Sequence, residues 1–116
     1  MGKHPSPQGV SLMQKGEKKA NQSGGLFSWG ASATRERQAD AADIFRDAGN
    51  RFKIDQCFKE AGDAFVRAGE CSIKADERNE SNQHFWEAGK AYKQTNPECK
   101  VNCLIKFLLL KSLIWN

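Results

Sequence analysis

Small and aromatic side chains recur on one helical face at a fixed interval. The chain reads Ala41-x-x-x-Phe45-x-x-Ala48-Gly49, then Ala61-x-x-x-Phe65-x-x-Ala68-Gly69, then Ser81-x-x-x-Phe85-x-x-Ala88-Gly89. The steps of four and three within each copy place its key residues on one side of a helix. The copies start at 41, 61 and 81, a spacing that fits one helix and a short turn. Two units make a helical hairpin of about 40 residues, the size of an α-solenoid repeat. The pattern therefore predicts an all-α, TPR-like α-solenoid of antiparallel hairpins. Such arrays generally present binding surfaces, so a scaffold is expected rather than an enzyme.

Residues 1–9 read as a disordered lead, and 10–23 as an N-terminal helix weakened at Gly16. Residues 24–34 read as a loop by composition. Thr34 is placed to cap the next helix, over 35–53, with Glu36 in its first turn. Asp55 is placed to cap a helix over 56–75, with Phe58, Ala61, Phe65, Ala68 and Ala75 inward. A third repeat helix spans 79–94, bearing Phe85, Ala88 and Tyr92. Asn96-Pro97 is a helix start, since Asn caps well and Pro suits the first helical position. The repeats thus extend over 35–106. Gly49, Gly69 and Gly89 fall inside helices, where each costs about 1 kcal/mol relative to alanine. A cost borne at one repeat position predicts a shared packing reason, the close approach of neighbouring helices.

The fourth unit breaks the motif, with Ile105, Leu108 and Leu109 in the places of Phe, Ala and Gly. The tail over 107–116 is divergent and apolar. The apolar run from Leu104 falls short of the ~20 residues a membrane span needs, and Lys106 and Lys111 interrupt it. An unfinished solenoid face is the expectation.

Charge is unevenly distributed. The chain of 116 residues carries a net charge of +4. Lys3, Lys15, Lys18, Lys19, Arg35 and Arg37 outweigh Glu17 and Glu36 within 1–38, which accounts for all of it. The repeats are neutral, so nucleic acid is not an expected partner. The basic N-terminal stretch suits an acidic partner or an anionic membrane surface. The start lacks an apolar signal region. Met1-Gly2 with Ser6 fits the bare myristoylation pattern, while Pro5 and Pro7 favour a flexible lead.

Candidate chemistry is sparse. Cys57, Cys71, Cys99 and Cys103 form no evident disulfide framework. Cys99 and Cys103 share a helical face, but His4 and His84 are distant and a zinc site needs about four ligands. His84 reads as a partly exposed helix residue. No P-loop or catalytic triad is visible. The sequence assigns no catalytic residue, metal or cofactor.

The 24–34 loop is different. Leu26, Phe27 and Trp29 stand among Gly24, Gly25, Ser28 and Gly30. They either plug into the domain or form an exposed wedge at a lipid headgroup boundary. Upstream, Lys15, Lys18 and Lys19 would add about 1 kcal/mol each against anionic lipid.

The order of these features resembles an α-type SNAP, a soluble NSF attachment protein, over 10–106. The resemblance rests on Glu17-Lys18-Lys19, Gly25-Leu26-Phe27-Ser28-Trp29-Gly30, Ala41-Ala42-Asp43-Ile44-Phe45, Phe52-Lys53, and Glu60-Ala61-Gly62-Asp63-Ala64-Phe65. It continues in Glu87-Ala88-Gly89-Lys90-Ala91-Tyr92-Lys93 and in Asn96-Pro97 running to Asn102-Cys103-Leu104. It implies an adaptor in vesicle-mediated intracellular transport, including between ER and Golgi, cytoplasmic and peripheral on membranes. Such adaptors lie along the SNARE bundle and recruit the ATPase NSF to take it apart. Leu26, Phe27 and Trp29 would be the membrane loop, and Lys53 and Lys93 candidate SNARE contacts. The chain departs from the family pattern after Leu104, so a truncated or altered product lacking the NSF-engaging part, and partial or inactive, is expected. The alternatives are a generic TPR-like interaction module unrelated to fusion, or a small membrane-surface protein using its tail.

Overall fold

The structure, a computed structural model, describes residues 7–21 and 30–95, with side chains described from 34 in the second stretch. It contains four helices and, among the described residues, no strand: α1 (Pro7–Ala20), α2 (Gly30–Ile54), α3 (Phe58–Lys74) and α4 (Arg78–Lys93). Each packs mainly on its neighbours in sequence, which is solenoid order. The body is thin, 16 Å along its shortest axis. This is the TPR-like all-α array that the repeat predicts.

The repeat positions form the core. Ala41, Ala61 and Ser81 are buried, as are Phe45, Phe65 and Phe85, and Ala48, Ala68 and Ala88. Each buried phenylalanine contributes about 1.5–3 kcal/mol relative to exposure.

Above two of the three repeat glycines, Gly49 and Gly69, lies an aromatic ring from the following helix, whereas no described atom comes within 4 Å of a Cβ built at Gly89. A Cβ at Gly49 would lie 2.8 Å from Phe65 Cζ, and one at Gly69 would lie 2.7 Å from Phe85 Cε1. Both distances are below any normal carbon contact. The same device joins α1 to α2, where Gly9 and Gly16 seat Phe52 and Phe45. It joins α3 to α4 again, where Gly62 and Gly69 seat Tyr92 and Phe85. In both hairpins the glycines are seven residues apart and so are the rings, in opposite order. That opposite order makes the helices antiparallel, with two turns locked between them.

The seats also explain where the helix bounds depart from expectation. α1 runs unbroken through Gly16, whose lack of a side chain is required under Phe45. It begins at Pro7, inside the stretch expected to be a disordered lead, since proline's fixed φ suits the first helical position. α2 begins at Gly30, inside the expected loop, and Ala31 and Ala33 are good helix formers. Thr34 therefore does not cap; it lies within the helix and accepts a hydrogen bond from Arg37 at 3.4 Å.

The turns repeat as well. After α2, the Cys57 N–H donates to Phe52 O at 2.8 Å and the Gln56 N–H to Lys53 O at 3.0 Å. After α3, Glu77 donates to Ser72 O at 2.8 Å and Asp76 to Ile73 O at 3.0 Å. These pairs of bonds form Schellman turns, with Gln56 and Asp76 both in the left-handed region at φ 62°. Cys57, not Asp55, precedes α3, and no side chain caps it. Asp55 instead pairs with Arg51 at 3.7 Å. The helix expected from Pro97, the tail, Cys99 and Cys103 lie outside the described residues.

Candidate partner-binding surface

The two sequence-selected lysines occupy equivalent places. Lys53 and Lys93 are 40 residues apart, as are Phe45 and Phe85, and both stand in the last turn of their helices. α2 and α4 are each antiparallel to α3, so they run parallel and present these lysines at the same end of the sheet. Both residues are exposed.

Their surroundings differ. Lys53 Nζ donates to Glu87 Oε2 at 3.4 Å, across from α2 to α4. It also lies 5.9 Å from the centroid of the Phe65 ring. Glu87 accepts a second contact from Lys90 at 3.0 Å, one turn along its own helix. Burial pushes the Glu87 carboxyl up, but the Lys90 hydrogen bond and the charge of Lys53 outweigh it and hold the group below its ordinary value. Among the described residues no carboxylate lies within ion-pair distance of Lys93.

A second cation is arranged in the same manner. Arg67 on α3 lies 5.1 Å from the centroid of the Phe45 ring on α2. Its Nε and Nη2 donate to Glu17 on α1 at 2.8 and 2.9 Å. The hydrogen bond to Glu17 raises the Arg67 pKa against the opposing effect of burial. In each case a cation crosses over the ring of the intervening helix to reach an acid on the helix beyond. Glu17 thus takes part in the fold, a role its position beside Lys18 and Lys19 did not suggest.

The segment 22–29, which contains Leu26, Phe27 and Trp29, lies outside the described residues. Its upstream flank is anchored. Gln38 Nε2 donates to Ala20 O at 3.0 Å, tying the end of α1 to α2, and Lys19 lies 3.9 Å from Asp40. Among the described residues no helix is long and apolar enough to cross a membrane. None of the His, Cys, Asp and Glu side chains there gather in threes to hold a metal ion. His84 is buried rather than partly exposed, in the position that Ile44 holds one hairpin earlier. Cys57 and Cys71 are buried thiols.

Comparison with known proteins gives this helical sheet its family. The model of the soluble NSF attachment protein family, SNAP, matches residues 7–109. The chain belongs to that family. The SNAP-family chain is 32% identical over 103 residues to a vesicular-fusion protein SEC17 of Komagataella phaffii, covering 86% of this chain and 35% of that protein. It is 29% identical over 99 residues to the alpha-soluble NSF attachment protein of Homo sapiens, covering 84% and 32%. A SEC17 vesicular-fusion protein of Coprinopsis cinerea is 39% identical over 100 residues, covering 86% and 33%. The chain thus spans about a third of the length of these curated relatives. No solved structure matches. Membership of the SNAP family sets the chain apart from a generic helical-repeat module.

Proposed function

We propose that this SNAP-family chain is an adaptor that binds SNARE complexes at membrane surfaces and serves their disassembly by an NSF-type ATPase. The observation that carries the reading is the repeat-equivalent pair Lys53 and Lys93, at one end of the family's helical sheet. Two cations one hairpin apart suit an elongated acidic bundle better than a compact ligand. Leu26, Phe27 and Trp29 are proposed as the membrane contact, with Lys15, Lys18 and Lys19 adding attraction to anionic lipid. The chain would then be peripheral on membranes and do no chemistry itself. The names of the relatives support the link to NSF and to vesicular fusion.

Two measurements test this. Assembled four-helix SNARE complex is titrated with the wild type and with Lys93→Ala at rising salt. An exposed ionic contact of this kind changes affinity by about two- to five-fold, and charges are screened over about 8 Å at physiological ionic strength. Lys93→Ala should weaken binding by that factor, and salt should erase the difference. Absence of wild-type binding at low salt overturns the SNARE reading. Separately, replacing Leu26, Phe27 and Trp29 with serine should reduce flotation with anionic liposomes. Unchanged flotation would assign those side chains to the interior of the domain.

A further inference from the structure

The lysines at the end of the sheet are equivalent in the repeat but not in what holds them. Lys53 is engaged twice within the fold, by Glu87 at 3.4 Å and by the Phe65 ring at 5.9 Å. Glu87 is itself the more enclosed partner, with a side chain 23% exposed against 41% for Lys53. It is further held by Lys90 at 3.0 Å. Among the described residues, an acidic partner approaching this end therefore meets no competing carboxylate at Lys93 and meets Lys53 only in competition with Glu87.

We infer that Glu87 is an intramolecular competitor for acidic partners, attenuating the Lys53 contact and leaving Lys93 as the primary one. The inference rests on the SNARE-complex reading above and sets the order of contacts within it. A carboxylate already on Lys53 reproduces what a partner's carboxylate would do. A partner must break one ion pair to form another, so the net gain at Lys53 is small. At Lys93 no described carboxylate has to be displaced. The Phe65 ring reinforces the difference, since a cation over a ring face is drawn toward it. Asp47 is the repeat counterpart of Glu87, 40 residues earlier, and it pairs with Arg46 at 3.4 Å rather than with an end lysine. The masking acid is thus specific to α4.

The test uses the full chain with assembled SNARE complex as the probe, at low salt. Glu87→Gln should tighten binding by about two- to five-fold. Asp47→Asn, which changes net charge by the same amount, should tighten it by less. Lys53→Ala should weaken binding clearly in the Glu87→Gln background and hardly at all in the wild type. A thermal-unfolding cycle over Lys53→Ala and Glu87→Gln, without partner, reports whether the pair forms in the free chain. Equal effects of Glu87→Gln and Asp47→Asn, or an effect of Lys53→Ala that is the same in both backgrounds, overturns the inference while leaving the SNARE reading intact. Additivity in the unfolding cycle overturns it too. Failure of every variant to bind, with coupling present in the free chain, overturns the SNARE reading and the inference with it.

Discussion

Replacing Gly69 with alanine tests the central packing device of this array. The added Cβ would lie 2.7 Å from Phe85 Cε1 and Cζ, and 3.0 Å from Cδ1. Carbon atoms rest at about 3.5–4 Å, so the ring must retreat by about 0.8 Å or α4 must shift. Phe85 is buried among Phe65, Ala88 and Ala91, so it cannot swing into solvent. Overpacking of this kind costs about 1–3 kcal/mol. Alanine in a helix interior returns about 1 kcal/mol through better propensity. The net expectation is a loss of about 1 kcal/mol, or about 4 °C in Tm for a domain of this size. A double-mutant cycle with Phe85→Leu separates the two contributions. Leucine lacks the ring atoms nearest the new methyl, so Gly69→Ala should be neutral or stabilising there by up to about 1 kcal/mol. The coupling should then be about 1–3 kcal/mol. Urea and thermal unfolding followed by circular dichroism measure all four proteins. If Gly69→Ala stabilises the wild type, or has one effect in both backgrounds, no ring is seated on this glycine and the account of the fold is wrong.

No described atom lies within 4 Å of a Cβ at Gly89, so Gly89→Ala should raise stability by up to about 1 kcal/mol through helix propensity, and a lowered Tm would refute this. Arg67→Met should cost about 1 kcal/mol through loss of the Glu17 pair and the Phe45 contact, and Glu17→Gln should add little afterwards. A full additional loss from Glu17→Gln would mean that Glu17 acts through something else. Burial holds the His84 pKa below its ordinary 6.5, so the folded state disfavours the imidazolium. Its contribution is intact above that value and is lost as pH falls through it. The Tm of the wild type should drop more between about pH 7.5 and 5.5 than that of His84→Ile, and parallel curves would refute this.

The hydrophobic pattern by itself determined the fold class, the repeat length and the inward face. Phe45, Phe65 and Phe85 with their alanines are core because a period near 3.6 puts them on one stripe, and a stripe must be covered. Helix periodicity is a local property, so a single chain displays it. The family was legible for a related reason, since the motifs recur in a set order along the chain.

Tertiary structure decided what each stripe meets. Gly16 reads as a weak point in an isolated helix and is a ring seat in the array. Its value depends on Phe45, 29 residues away, and on the antiparallel register that brings them together. Asp55 had the chemistry of a cap, yet the Schellman turn places Cys57 at that position and leaves Asp55 to Arg51. The alignment of Lys53 and Lys93 follows from the 40-residue repeat, but their inequality does not. Glu87 lies 34 residues beyond Lys53 and reaches it only because α2 and α4 both pack against α3. Glu17 and Arg67, 50 residues apart, meet across α2 for the same reason. Long-range electrostatic pairs depend on interhelical distance, which the spacing of residues along one helix does not encode.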